Sequence, residues 1–292
     1  MLKFLGGLLM AMADSVPGVS GGTILFLLGL YDNFIGSLSK LISGTKEERI
    51  DSLKFLIRLG IGWACGFVLA VLVITTLFES HIYQVSSVFL GFIIFSIPIV
   101  IKQEMEVVKG KYLNLIYTVI GMSVVIAITL LNPAGGAESA GFTLTFGNGV
   151  YLFVVGMIAI SAMVLPGISG STLLLIFGLY MPVMSAVKGL LHFELSNLPI
   201  CIIFGLGVIA GVFSVVKGLK FLLEKHRSAI MYTIVGMMIG SFYAIIMGPT
   251  SLKENPKEAL SFETFNILFF IIGGVVIFGI QGLKKIFGKE EN

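Results

Sequence analysis

Apolar residues run along this chain in long unbroken blocks, and short polar segments separate them. The blocks at 55–78, 82–101, 112–131, 199–223 and 229–248, with a sixth at 264–282, are each long enough to cross a membrane. A hydrocarbon core of about 30 Å takes about 20 helical residues. Two further apolar regions, 2–39 and 150–190, are each broken near the middle by Pro and Gly. Lipid offers the backbone no hydrogen-bond partner, so chains that cross it as apolar runs do so as helices. The pattern therefore predicts an all-α integral membrane fold.

The two breaks are copies of one motif. Val16-Pro17-Gly18-Val19-Ser20-Gly21-Gly22-Thr23 leads on to Gly29-Leu30-Tyr31, and Leu165-Pro166-Gly167-Ile168-Ser169-Gly170-Ser171-Thr172 leads on to Gly178-Leu179-Tyr180. Nine of the fifteen positions from Pro17 to Tyr31 recur 149 residues later. The likeness continues: Gly60, Gly62 and Gly66 match Gly205, Gly207 and Gly211, and Glu79 and His81 match Glu224 and His226. Gly91 and Ser96 match Gly236 and Ser241, and Gly121 matches Gly273. The chain thus reads as two repeats, 1–148 and 149–292, in one membrane domain. Each is a broken region followed by three spans.

Composition agrees: charged residues are 12% of the chain, half or less of the usual share in soluble domains. Cys65 and Cys201 sit in apolar runs and read as packing residues. Lys3, the apolar stretch after it and Ala11-Met12-Ala13 imitate a cleavable leader. A similar stretch, Gly156–Met163, precedes the second motif in mid-chain, so the expectation is that the first is retained too.

The placement of charge sets the expected topology. If both broken regions turn back to the side they entered from, 16 of the 19 Lys and Arg residues share one face. They are Lys3, the 40–58 loop, the 102–111 loop, the 217–227 segment and the tail; Lys188, Lys253 and Lys257 are left opposite. If each region crosses once, the split is 11 against 8. Cytoplasmic segments carry the basic excess, so the first arrangement is expected, with both termini cytoplasmic. Charge alone fits a re-entrant hairpin or two full crossings equally; each half of a broken region offers about 12–17 helical residues, short for a crossing, so with the Pro-Gly break each region is expected to be a re-entrant helical hairpin. Three spans per repeat is odd, so the repeats are inverted and the two hairpin tips approach each other near the midplane.

Those tips supply the candidate site. Pro17 and Pro166 break the helix, and the glycines let a ligand approach the backbone. A new half-helix starts near Gly22 and near Ser171, each with N–H groups lacking an intrahelical partner and the positive end of the dipole. Ser20, Gly21, Gly22, Thr23, Ser169, Gly170, Ser171 and Thr172 are therefore the expected substrate-binding residues, for a phosphate or a carboxylate. The simpler reading, caps and close packing alone, is weakened by the duplication. Asp14 is the one acid well inside an apolar region, and its counterpart is Met163. Carboxylates at such depth are costly, so Asp14 is a candidate for proton or cation coupling. Arg58 and Lys217, at span ends, are candidates for attracting an anionic head group, with snorkelling the plainer reading. His81 and His226 read as loop histidines or as a symmetric proton-linked pair.

No catalytic residues, metal ligands or cofactor are expected. His81, His192 and His226 lack metal-ligand spacing, no G-x-S-x-G or G-x-x-x-x-G-K is present, and no His lies deep enough to activate Ser20 or Ser169. The doubled motif, from Ala13-Asp14-Ser15 through Thr23 and from Leu165 through Thr172, resembles that of the PopT-type polyprenyl-phosphate transporters over nearly the whole chain. The resemblance implies a multi-pass protein of the bacterial plasma membrane that returns undecaprenyl phosphate from the outer to the inner leaflet for cell-envelope synthesis. Its partners would be the lipid substrate and the bilayer, with no nucleic acid. The alternative left by the residues is a transporter or channel for a small soluble anion.

Overall fold

The computed structural model describes residues 1–14, 20–70, 81–131, 142–164, 170–191, 193–251 and 257–287, with a few side chains among them excepted. All regular structure in them is helical. In chain order the helices are α1 (Leu2–Asp14), α2 (Gly21–Leu28), α3 (Tyr31–Ser43), α4 (Lys46–Leu69), α5 (Ile82–Gln103) and α6 (Leu115–Leu131). There follow α7 (Phe146–Val164), α8 (Gly170–Ile176), α9 (Tyr180–Leu191), α10 (Leu198–Lys225), α11 (Arg227–Met247) and α12 (Ile267–Phe287).

Five helical segments are long and apolar enough to cross a membrane: Lys46–Leu69, Ile82–Gln103, Tyr112–Leu131, Leu195–Lys225 and Arg227–Thr250. The bent pair α2 and α3 would be a sixth, and Ile267–Gly282 is a shorter apolar helix. Their outward faces carry exposed Ile, Leu, Val and Phe side chains, such as Ile61 on α4, Ile120 on α6 and Ile209 on α10. A soluble protein does not leave such stripes bare.

Two sequence boundaries are corrected. The first span begins at Lys46, not at 55. Thr45 starts it with a capping box: Glu48 N–H donates to Thr45 Oγ1 at 3.3 Å, and Thr45 N–H donates to Glu48 Oε2 at 3.0 Å. The basic 40–58 "loop" is consequently the end of α3 and the first half of α4, and the basic segment before His226 is the last turns of α10.

The arms after the breaks are also shorter than 12–17 residues: α2 has eight and α8 has seven. Both stop at the Gly-Leu-Tyr of the repeated motif. Gly29 (φ 70°) and Gly178 (φ 67°) are left-handed. In each the next N–H reaches back five residues, Leu30 to the Leu25 carbonyl and Leu179 to the Leu174 carbonyl, both 2.8 Å. That is a Schellman cap, which needs a residue free of Cβ strain at its left-handed position. After Gly29 the chain turns by 108° into α3.

Helix contacts are made through glycines. A side chain on Gly62 would collide with the Phe4 carbonyl, and one on Gly66 with the Leu8 carbonyl, so α1 and α4 lie in contact and parallel. Gly207 and Gly211 meet the Phe153 and Met157 carbonyls in the same way, joining α10 to α7. Gly236 meets the Thr118 carbonyl and Gly240 meets Met122, so α11 runs parallel to α6. Gly91 meets the Phe270 carbonyl and Gly274 meets Phe95, so α12 runs parallel to α5. The sequence offsets carry one set onto the other: Phe4–Gly62 onto Phe153–Gly207, and Thr118–Gly236 onto Phe270–Gly91.

Every residue of α2 is buried. It is apolar on all sides, as a helix enclosed by protein must be. It packs among α1, α3, α5, α7 and α12, in the larger of two apolar cores.

Candidate functional site

The start of α2 is the best-defined polar point in this apolar interior. Ser20 is its N-cap, extended at φ −116° and ψ 132°, and is buried together with Thr23. The Gly22 N–H donates to Ser20 Oγ at 3.2 Å, and the Thr23 N–H donates to the Ser20 carbonyl at 3.0 Å. The Gly21 N–H donates to Asp14 Oδ1, the last residue of α1, at 2.7 Å. The first three N–H groups of α2 are thus engaged by the Ser20 cap and by a carboxyl from α1.

Gly21 makes this possible, because a Cβ there would run into Met10 and the Asp14 carboxyl. The other carboxyl oxygen, Asp14 Oδ2, is buried and has no hydrogen-bond partner among the described residues. An acid in such surroundings usually has all its lone pairs satisfied.

The second motif opens on a glycine in the same way, but a different side chain lies against it, and Ser171 stands where the first motif has Gly22. Gly170 is buried and opens α8, and a Cβ on it would strike Met163 and crowd the Ala159 carbonyl. Met163 therefore stands to Gly170 as Asp14 stands to Gly21, with a thioether replacing the carboxyl. Ser169 lies outside the described residues, as do the two segments 15–19 and 165–169 that hold both Pro-Gly pairs. Ser171 and Thr172 are helical in α8, and their side chains also fall outside the description.

One buried bond ties the two motifs together. The Tyr31 hydroxyl donates to the Val164 carbonyl at 3.0 Å. Val164 is the last residue of α7, where the second break begins. The base of α2 thus meets the described edge of the second break, and α2 packs on α7. Tyr31 is a site residue that the sequence reading placed in the motif without assigning it a role.

At the same end, the Leu27 carbonyl accepts from Gln281 Nε2 at 2.9 Å and from Gln103 Nε2 at 3.4 Å. Beside them Arg227 forks onto Glu104 with bonds of 2.6 and 2.8 Å, and reaches Asp32 Oδ2 at 2.9 Å. These residues hold the elbow between α2 and α3 against the ends of α5 and α11. Their sequence signal was only that polar groups cluster where apolar runs stop.

Arg58 and Lys217 are not drawn to this site. Arg58 is on the exposed side of α4 beside Ile57 and Ile61, and Lys217 is exposed on α10 near Phe213 and Phe221. His81 and His226 both precede a helix, α5 and α11, in nearly the same backbone conformation (φ −132°, ψ 41° and φ −126°, ψ 35°). Both are exposed.

Comparison with known proteins adds to this geometry. A protein-family model described as undecaprenyl phosphate translocase-like matches residues 10–260, which include both motifs. A protein of Staphylococcus aureus named polyprenyl-phosphate transporter is 34% identical over 278 residues, 94% of each chain. A protein of Vibrio cholerae with the same name is 33% identical over 248 residues, 82% of this chain and 75% of the relative. No solved structure matches the chain.

Proposed function

This chain belongs to the undecaprenyl phosphate translocase-like family, a family of transporters and not of enzymes, and on that premise we propose that it returns undecaprenyl phosphate from the outer to the inner leaflet of the bacterial plasma membrane. Transport of a polyprenyl phosphate is supported by both named relatives. The direction and the place of the phosphate are our reading.

The observation that carries it is the start of α2. A half-helix that is buried on all sides sets its N-terminus, with the buried Ser20 and Thr23, beside the Asp14 carboxyl. Backbone ends of this kind at membrane depth serve anions. The phosphate would be held by Ser20, Gly21, Gly22 and Thr23, and on the other side by Ser169, Gly170, Ser171 and Thr172. The prenyl tail would stay in lipid through an opening between helices.

Inversion of the repeats supports alternating access. Consecutive spans α5 and α6, joined by 104–114, must run oppositely if both cross. Helix α11 corresponds to α5 and lies parallel to α6, so it runs opposite to its own counterpart. The same holds for α12 and α6. Each broken region then reads as a re-entrant hairpin, entering from opposite faces, with both termini cytoplasmic. Movement of one hairpin with its span against the other repeat would expose the phosphate to each leaflet in turn.

Proteoliposomes test this. Purified protein should speed the passage of undecaprenyl phosphate between leaflets, and Ser20→Ala should slow it about tenfold or more while the protein still folds. In cells the same change, or Ser169→Ala, should raise outer-leaflet undecaprenyl phosphate. Passage of inorganic phosphate but no lipid would instead select the small-anion transporter.

A further inference from the structure

The α2 N-terminus is already engaged, by a carboxyl of the protein's own. Asp14 Oδ1 takes the Gly21 N–H, the first N–H of α2, at 2.7 Å, and a phosphate seated on this helix end would need that donor. Two anions cannot share one donor in an apolar interior, since nothing there screens their repulsion. A lipid phosphate arriving at Gly21 must therefore displace the carboxyl or find it uncharged.

The surroundings of Asp14 decide between these. Helices α4, α2 and α12 pack against α1. The face of α4 toward α1 presents Phe55, Leu59, Gly62, Trp63 and Gly66, none of them ionisable. Helix α2 has no ionisable residue. The described cation on α12 nearest this region, Lys284, reaches Gly29, at the far end of α2. On α1 itself Lys3 lies at the opposite end, over the Phe55 ring. The Trp63 indole faces the carboxyl without meeting hydrogen-bond geometry, and Oδ2 has no partner among the described residues. Among the described residues no cation stands ready to hold a displaced Asp14 carboxylate. A proton on Oδ2 removes the charge and supplies a donor directed at the incoming phosphate.

We propose that Asp14 is a proton-linked gatekeeper of the anion site, holding the α2 N-terminus as a carboxylate when the site is empty and taking up one proton when a lipid phosphate binds. The proton comes from water on the side to which the site is open and leaves when the phosphate leaves. The second hairpin has no such group, because Met163 fills the equivalent place against Gly170. Proton linkage is thus a property of the first hairpin alone. This role rests on the phosphate site proposed above, and it specifies how that site is regulated.

The test is binding of farnesyl phosphate to the purified full-length protein between pH 7 and pH 9, above the second ionisation of the phosphate near 6. Uptake of one proton makes the wild-type affinity fall by up to tenfold per pH unit at the alkaline end. Asp14→Asn removes the titrating group, and Asp14→Met installs the residue that the second motif tolerates. Both should bind with a flat pH profile and remain monodisperse in size exclusion. A flat wild-type profile, or a wild-type slope kept in a folded variant, overturns the proposal. Failure of all three proteins to bind overturns the substrate reading and this role with it, whereas pH-independent binding by the wild type overturns the role alone.

Discussion

Arg227 offers the sharpest energetic prediction, because its two acidic partners differ in exposure. The Glu104 side chain is 11% exposed and is held by two bonds of 2.6 and 2.8 Å; the Asp32 side chain is 53% exposed and is held by one of 2.9 Å. Removing the guanidinium with Arg227→Gln leaves a nearly buried carboxylate without its charge partner, a loss of about 3–5 kcal/mol. Asp32→Asn removes a pair that water already screens, for about 1 kcal/mol or less. A double-mutant cycle should therefore give a coupling of about 2–3 kcal/mol for Arg227 with Glu104 and under about 1 kcal/mol for Arg227 with Asp32. Thermal unfolding in detergent micelles provides the four corners of each cycle. Raising the salt from 0.05 to about 0.5 M should weaken the Asp32 coupling and leave that of Glu104 nearly unchanged. Equal couplings, or a silent Glu104→Gln, would refute the claim that burial decides which leg of this network stabilises the elbow.

Tyr31→Phe keeps the ring and strands the buried Val164 carbonyl, so it should cost about 1–3 kcal/mol in the same melting assay and slow lipid movement without abolishing phosphate binding. The glycine contacts make a paired forecast. Gly236→Val, which drives a side chain into the Thr118 carbonyl, should destabilise by about 3 kcal/mol or more, while Gly60→Ala, with nothing within 4 Å, should be neutral or stabilise by up to about 1 kcal/mol. A Gly236→Val protein that melts like wild type would show that α6 and α11 separate freely.

Much of the fold was legible because lipid simplifies the code. Apolar blocks of about 20 residues have few alternatives to a spanning helix, and five of the six runs fall on segments long and apolar enough to cross. The boundary at Lys46 was missed for a local reason. Six of the first nine residues of α4 are charged, and only the Thr45–Glu48 capping box reveals that the helix has already begun. The shortness of α2 and α8 was missed because the motif was read for its Pro-Gly break. Its Gly-Leu-Tyr end, a helix stop with a left-handed glycine, carries as much structure.

The site was legible at the level of residue type and not at the level of partners. Ser20 as a cap follows from its place before a half-helix, and the structure gives it that role. What occupies the donors of that half-helix depends on how α1 comes back against α2, and Gly21 decides this by leaving room for the Asp14 carboxyl. The sequence marked Asp14 as an acid out of place and Met163 as its odd counterpart. It could not show that both side chains press on the glycine that opens the next helix, one with a carboxyl and one with a thioether. That pairing is the reason to expect two copies of one motif to behave differently. An anion site closed by a carboxylate responds to pH, and one closed by a sulfur does not. On the proposed function the repeat supplies an architecture for alternating access, and the exchange of Asp14 for Met163 supplies a direction for coupling it to protons.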